Sequence, residues 1–314
     1  MKTRFCILIW GLLLFSVTLG ACQATNNINS GKKSIVATYS ILGAVVKDLV
    51  GDKADVIVPM PNGLDPHDWA PSAKDIETIN KADLVVQNGL GLEGGLQKVL
   101  TAARENGVRL FTASDHIAIR YVGQGEGIPS GDPDQVIGAP DPHLWMDPLT
   151  IKSVITALAD TLRTDFNLEV SSQSVDLTNR LDNLNKQVTD MVAAIPEADR
   201  KLVTGHESMG YFAQRYGFKL VGVIIPSLTS QAEVTAADLA QLKKTIQENQ
   251  VKAIFTELGT SSAIANAIGQ ETGVKVIVLN THALPPDGSY FSFMLDIARA
   301  ITEVIKRAMA MDTP

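Results

Sequence analysis

Residues 34–58 read SIVATYSILGAVVKDLVGDKADVIV and alternate between two kinds of hydrophobic pattern. Residues 35–38 and 55–58 are short runs rich in β-branched side chains, which are typical of buried strands. Between them, residues 40–50 place apolar side chains on one face of a helix, which Gly51 ends. A strand, a helix and a strand in this order predict a parallel βαβ unit.

The same alternation extends along the rest of the chain. In the first half it predicts further helices and strands, at residues 72–80, 83–87, 95–106 and 108–112, and a helix from 148 to about 165. Residues 120–142 are rich in Gly, Pro and Asp, which predicts an irregular surface loop. After residue 200 the order starts again, with strands at 201–204, 220–225, 252–256 and 276–279 and helices at 207–216 and 236–250.

A long helical pattern separates these two halves. Residues 171–195 carry an apolar side chain at every third or fourth position, and Pro196 ends the pattern. About 25 helical residues make a rod on the order of 37 Å long. We interpret the chain as an α/β protein with two similar parallel-sheet lobes, residues 34–170 and 196–314, joined by one long rigid linker helix. The alternative is a chance similarity between βα units.

The N-terminal residues differ in character from the rest. A positively charged head precedes a long apolar run and the sequence LGAC at residues 19–22. This pattern predicts a secretory signal peptide over residues 1–21. The residues before Cys22 resemble the lipobox of bacterial lipoproteins, which implies a lipid anchor on Cys22; the alternative is an ordinary signal peptide with a chance cysteine. Residues 22–33 are polar and predict a flexible tether.

Charge and cysteine content exclude some kinds of function. The chain has a formal net charge of −7, which argues against a nucleic-acid partner. Its two cysteines, Cys6 and Cys22, both lie in the N-terminal segment. The folded part is therefore predicted to have neither a disulfide nor a thiolate metal site.

Four of the five histidines share one setting, a loop after a strand or before a helix: His67, His143, His206 and His282. Open α/β sheets bind ligands at the carboxyl ends of their strands, and each lobe supplies two of these residues. Taken singly, each histidine would more often be a structural or surface residue. Together they predict a closed set of four imidazoles in the cleft between the lobes, which suits zinc. Nearby carboxylates could orient the rings: Asp65, Asp68, Asp141, Asp147 and Glu207.

Three segments resemble the ligand motifs of the zinc- and manganese-binding receptors of bacterial ABC importers. They are GLDPH at 63–67, DPHLWMDP at 141–148, and His206 with the aromatic residues that follow it. The resemblance covers nearly all of the chain after Cys22. It implies two α/β lobes bridged by a long helix, and a protein without catalytic activity that delivers zinc, or else manganese, to a permease with a separate ATPase. We expect an exported monomer, lipid-anchored at the outer face of the cytoplasmic membrane or in the periplasm.

The fourth ligand departs from that family, whose members usually carry Asp where His282 stands. Four imidazoles lack the carboxylate oxygens that suit manganese, so this departure favours zinc. Against zinc, residues 120–142 lack the His-rich run that many zinc receptors carry. Glu257 resembles a Glu that the family places near the site, and it is a candidate extra ligand or a partner that orients a ligand.

Two other classes of function stay open at this point. A zinc metallohydrolase with Glu207 or Glu257 as its general base would need an open coordination position on the metal. A receptor for a metal chelate or another small solute would need a roomier cleft with aromatic or Arg side chains. Aromatic residues make up only 5% of the chain, which disfavours such a cleft.

One further motif suggests a nucleotide. Residues 89–94 (GLGLEG) match the G-x-G-x-x-G pattern of dinucleotide-binding loops, and Asp115 follows after the next predicted strand. We interpret the motif as a tight strand-to-helix turn in which glycine supplies the backbone freedom. His116, the fifth histidine, matches no ligand motif.

Overall fold

The chain folds around two parallel sheets. The computed structural model describes residues 31–123, 126 and 137–311, and strands alternate with helices in this part. The strands are β1 (Lys33–Ala37), β2 (Ala54–Ile57), β3 (Leu84–Gln87), β4 (Arg109–Thr112), β5 (Lys201–Thr204), β6 (Lys219–Val223), β7 (Ala253–Thr256) and β8 (Lys275–Val278). The helices are α1 (Ser40–Val50), α2 (Ala73–Asn80), α3 (Gln97–Glu105), α4 (Pro148–Phe166), α5 (Ser171–Val192), α6 (Gly210–Tyr216), α7 (Ala236–Glu248), α8 (Ser262–Thr272) and α9 (Tyr290–Met311).

Both sheets have four strands and the same topology. The first has the order β2-β1-β3-β4, and the second has the order β6-β5-β7-β8. The pairings between these strands are parallel throughout. In each lobe the strand that comes first in the chain therefore lies second in its sheet. The prediction of two similar parallel-sheet α/β lobes is confirmed.

Helix starts follow the capping residues that the sequence offers. At α2, the hydroxyl of Ser72 accepts the backbone N–H of Asp75, whose carboxylate accepts the N–H of Ser72 at 2.9 Å. At α4, the carboxylate of Asp147 accepts the N–H of Leu149 at 2.8 Å, and Pro148 occupies the first turn. The second cap fixes the point at which a histidine-bearing loop enters its helix.

Helix α5 packs against α4 and α9 and follows the first lobe in the chain. Its buried side chains include Leu177, Leu181, Leu184 and Val188. They belong to one hydrophobic core that also contains Ile35 of β1 and Phe255 of β7, and thus side chains of both sheets. A wide separation of the lobes would expose this shared core to water, which is unfavourable.

The predicted start of one helix is wrong. Helix α6 begins at Gly210 rather than at residue 207, because the backbone N–H of Glu207 donates to the carbonyl of Ser227 at 2.9 Å and leaves the helical path. Within the predicted loop over residues 120–142, Tyr121 and Pro140 form an isolated antiparallel bridge, and residues 124–125 and 127–136 lie outside the described residues.

The predicted signal peptide and Cys22 lie outside the described residues, as does most of the predicted tether. Strand β1 begins at Lys33, the last residue assigned to that tether. Of the helices in the described part of the chain, none has the length and apolar character needed to span a bilayer.

Candidate metal centre

The loops at the carboxyl ends of the strands bring the predicted histidines together between the lobes. His206 and Glu257 stand just after β5 and β7, and His282 lies in the loop after β8. His67 comes from the loop between β2 and α2, and His143 from the loop before α4. Each lobe therefore contributes two imidazoles to one place.

The four imidazoles form a tight cluster. Nε2 of His143 lies 3.2 Å from Nε2 of His67 and 3.2 Å from Nε2 of His206. One ring nitrogen from each of these residues and from His282 lies within 4.8 Å of the others. A zinc ion with four nitrogens at about 2.0 Å would separate neighbouring nitrogens by about 3.3 Å. Two of the separations match this value and the others are at most 4.8 Å, so the cluster is of a size to hold one ion.

Asp141 orients the ring of His143. Its Oδ1 lies 2.8 Å from Nδ1 of His143 and also accepts the backbone N–H of that residue at 2.9 Å. Arg120 holds the carboxylate from the other side, donating from Nη1 to Oδ2 at 2.9 Å, and it pairs with Glu126 as well. An ionised carboxylate only accepts hydrogen bonds, so Nδ1 of His143 carries the proton and Nε2 offers its lone pair to the cluster.

Glu257 is buried behind His206. Its Oε1 accepts the backbone N–H of His206 at 2.9 Å and lies 2.9 Å from Nδ1 of the ring of the same residue, with which it pairs. Its Oε2 accepts the hydroxyl of Ser208 at 2.6 Å and the hydroxyl of Thr281. Both carboxylate oxygens therefore face protein donors.

The hydroxyl of Thr281 connects Glu257 to the ring of His282. Because the hydroxyl of Thr281 donates its proton to Glu257, its oxygen accepts from Nδ1 of His282, which lies 2.8 Å away. Nε2 of His282 is buried, and no residue in the described part of the chain gives it a hydrogen-bond partner. A buried polar atom without a partner is costly, and a metal ion at the cluster would supply one.

Burial keeps three of the imidazoles neutral. It lowers the pKa of His67 to about 4, and the positive charge of His206 acts in the same direction. Burial and the charge of His206 also hold the pKa values of His143 and His282 well below the ordinary histidine value. Neutral imidazole is the form that binds metal, so these rings are ready to coordinate near neutral pH.

His206 and Asp141 behave differently. Burial lowers the pKa of His206, but the carboxylates around it, Glu257 foremost, together raise it, so that the net direction is upward. Burial raises the pKa of Asp141 to about 6, although the Arg120 charge beside it acts in the opposite direction. Of the four imidazoles, His206 therefore keeps its proton to the highest pH, and a metal ion has to displace that proton.

Trp145 closes one side of the cluster. Its ring centre lies 5.3 Å from that of His143 and 5.5 Å from that of His282. Its Nε1 donates to the carbonyl of Thr281 at 2.9 Å, and its own carbonyl accepts the hydroxyl of Tyr290 at 2.8 Å. A fully buried indole thus excludes water from this side and binds the His143 loop to the second lobe.

The other predicted carboxylates do not touch an imidazole ring. Asp65 accepts the backbone N–H of His67 at 2.9 Å, and Asp147 caps α4 and pairs with Arg215 at 2.7 Å. Asp68 is exposed. Glu207 is buried, neither of its oxygens has a hydrogen-bond partner among the described residues, and burial raises its pKa well above the ordinary value.

The GLGLEG segment is the turn between β3 and the start of α3. Gly89 and Gly91 have φ of 87° and 78°, a region that favours glycine. The carboxylate of Glu93 accepts the backbone N–H of Asn88 at 2.6 Å, and the side-chain amide of Asn88 donates to the carbonyl of Pro142 at 2.8 Å. The turn thus supports the loop that carries His143.

Known proteins share this architecture. The solved structure of the periplasmic zinc binding protein TroA from Treponema pallidum matches with a TM-score of 0.73 and 26% identity, over 88% of this chain and 99% of that one. The manganese-binding lipoprotein MntA of Halalkalibacterium halodurans is 26% identical over 302 residues, 95% of each chain. The high-affinity zinc uptake system protein ZnuA of Bacillus subtilis is 30% identical over 274 residues, 86% of this chain and 85% of that protein.

The two-lobed fold and these relatives define the class of the protein as the substrate-binding components of metal-uptake systems. Residues 35–304 match the family model for ZnuA, described as zinc-uptake complex component A, periplasmic. The chain belongs to this family. The resemblance drawn from the sequence motifs is therefore confirmed.

Proposed function

We propose that the protein captures a zinc ion between its lobes and hands it to a separate ABC import permease and its ATPase. The ion is the transported substrate, held by His67, His143, His206 and His282. Glu257 acts by orienting His206 and His282 and is not itself a ligand. The observation that supports this is the setting of the rings, three of which have Nδ1 against an oxygen and Nε2 free for the cluster.

The donor set favours zinc over manganese. The cluster contains four imidazole nitrogens and no carboxylate oxygen among the described residues. Manganese prefers oxygen ligands, whereas zinc accepts nitrogen in tetrahedral geometry. The relatives do not choose between the two metals, since MntA is named for manganese and TroA and ZnuA are named for zinc.

The same contacts argue against catalysis. A catalytic zinc keeps an open position, and four protein ligands leave none. Burial raises the pKa of Glu207 well above its ordinary value, which disfavours the charged form that a general base needs. Ring centres only 5.1 to 6.0 Å apart leave room for an ion but not for a chelate.

We further propose that export removes residues 1–21, that a lipid on Cys22 anchors the chain, and that residues 22–33 tether the lobes at the outer face of the cytoplasmic membrane or in the periplasm. The protein acts as a monomer. Its two lobes are residues 34–170 and 196–314, and the linker between them is residues 171–195. A relative named as a lipoprotein supports the anchor. Mass spectrometry of the exported protein should find a lipid-bearing chain that begins at Cys22, and an unlipidated chain would contradict the anchor.

Calorimetric competition on the exported, metal-stripped protein tests the binding function. We expect one zinc per chain, bound more tightly than manganese. His282→Ala should weaken zinc binding by at least about a hundredfold, since even loss of a residue that merely orients a ligand costs about 10- to 100-fold. His116→Ala is the matched control, because His116 stacks on Phe111 outside the cluster.

Other outcomes of the calorimetric competition would contradict the ligand set or the function. A preference for manganese, or a His282→Ala variant that binds zinc like the His116→Ala control, would remove His282 from the ligand set. An absence of metal binding in the wild type would contradict the function itself.

A further inference from the structure

Asn62 joins the two lobes beside the metal centre. It lies in the loop that carries His67, whereas Leu284 lies in the loop that carries His282, 222 residues further along the chain. Nδ2 of Asn62 donates to the carbonyl of Leu284 at 2.9 Å, and Oδ1 accepts the backbone N–H of Leu284 at 2.8 Å. The side-chain amide therefore pairs with one residue of the opposite lobe as a second peptide group would.

A second contact holds the same loop, residues 61–69, which we call the His67 loop. Oδ1 of Asp65 accepts the backbone N–H of His67 at 2.9 Å, while Oδ2 accepts the hydroxyl of Ser230 in the second lobe at 2.5 Å. The approach is close: a Cβ on Gly259 would lie 2.7 Å from Cβ of Ser230 and 3.0 Å from Oδ2 of Asp65. The His67 loop is thus tied to the second lobe at two points.

The other three imidazoles are held more deeply. His143, His206 and His282 are buried, and their orienting contacts are buried with them. His67 is only half-buried, and the Asn62 contact lies at the exposed surface. Exposed hydrogen bonds compete with water and break in local openings of low free energy, whereas buried contacts break mainly with larger unfolding.

A wide movement of the lobes is not available for the release of metal. One hydrophobic core contains Ile35 of the first lobe, Leu181 of α5 and Phe255 of the second lobe, and separating the lobes would expose it. The His67 loop, by contrast, contributes one ligand, and it is hydrogen-bonded to the second lobe through the side chains of Asn62 and Asp65, while Trp69 at its end packs against the core. The loop is therefore the part of the site that can open while the frame stays intact.

We propose that Asn62 is a positioning residue that keeps the His67 loop closed over the bound metal and so sets the rate of metal release. Asn62 supplies no atom to the cluster and acts through the loop that bears His67. This inference rests on the proposed metal-binding function. It separates two roles in one loop, since His67 coordinates the ion and Asn62 determines how long the loop stays closed.

The dissociation rate of zinc tests this role. The exported protein is loaded with zinc and mixed with an excess of chelator, and the loss of metal is followed by stopped-flow absorbance. Asn62→Ala should release zinc about tenfold faster than the wild type, a change equivalent to about 1.4 kcal/mol. Asn106→Ala is the matched control, because it removes an exposed side-chain amide of the same lobe, outside the cleft.

A second measurement separates closure of the His67 loop from coordination of the metal. The visible absorption spectrum of the cobalt-loaded protein reports the ligands, and it should be the same in Asn62→Ala and in the wild type. Ser230→Ala, which removes the other tie to the His67 loop, should also release zinc faster with an unchanged cobalt spectrum. It provides an independent test if Asn62→Ala does not fold.

Three results would overturn the proposal. The first is release from Asn62→Ala at the rate of the Asn106→Ala control or, where Asn62→Ala does not fold, release from Ser230→Ala at that rate. The second is a changed cobalt spectrum in Asn62→Ala, which would mean that Asn62 supports the ligand geometry and not closure. The third is a wild type that binds no metal, which would remove the proposed function and this inference together, and is distinguished from the first by the wild-type measurement alone.

Discussion

At the scale of single residues, one carboxylate governs two of the rings. Glu257 contacts His206 directly and reaches His282 through the hydroxyl of Thr281. The charge of His206 and the hydrogen bonds to the carboxylate lower the pKa of Glu257 below its ordinary value, although burial alone would raise it. Glu257 therefore stays ionised and holds both rings with Nε2 toward the cluster.

Zinc affinity should depend on pH because a small number of groups at the site take up protons. His206, whose pKa is raised by Glu257, binds a proton below that pKa, and zinc must displace it. As pH falls through this range, the logarithm of the affinity should fall by about one per pH unit. Below a pKa of about 6, Asp141 also takes up a proton and holds the His143 ring less firmly, so the affinity should fall further. Competition titrations from pH 8 to pH 5 measure this slope.

Glu257→Gln provides the comparison for that experiment. Without the carboxylate the pKa of His206 falls, so the decrease in affinity should begin at lower pH. His116→Gln, outside the cluster, should leave the curve unchanged. A slope near four between pH 7 and pH 5 would contradict this account, because it would require that all the imidazoles carry protons in that range.

At the scale of elements, the strands and helices whose own residues form a strong hydrophobic pattern are predictable from the sequence. The range 40–50 was predicted for α1 and 201–204 for β5, and the structure has the same bounds. An apolar face followed by Gly51 defines α1, and a short apolar run after Pro196 defines β5. The start of α6 could not be predicted, since the hydrogen bond that draws Glu207 away comes from Ser227, on a different segment. Helices α8 and α9 were not predicted at all.

The candidate site likewise has one part that the sequence predicts and one part that it does not. The four histidines share a position relative to strands and helices, which a sequence displays, and the structure brings them together. The contacts that orient them join residues far apart in the chain and match no motif. Arg120 reaches Asp141 across 21 positions, and Asn62 reaches Leu284 across 222. Thr281 gave no signal either, because a single Thr beside a His has no distinctive pattern.

At the scale of the whole molecule, the two lobes act as one frame. They share a core, and the buried Trp145 of the His143 loop is bonded to Thr281 and Tyr290 in the second lobe. A frame of this kind holds three imidazoles at fixed positions before metal arrives, so little order has to be gained on binding. Movement is then concentrated in the His67 loop, at the edge of the cleft.

X-ray absorption spectroscopy of the zinc-loaded protein tests the four-imidazole centre most directly. We predict four nitrogen neighbours at about 2.0 Å, together with the outer-shell scattering of imidazole rings, and one ring fewer in His282→Ala. A shell of five or six neighbours, outer-shell scattering from fewer than four imidazole rings in the wild type, or unchanged ring scattering in His282→Ala would contradict the account.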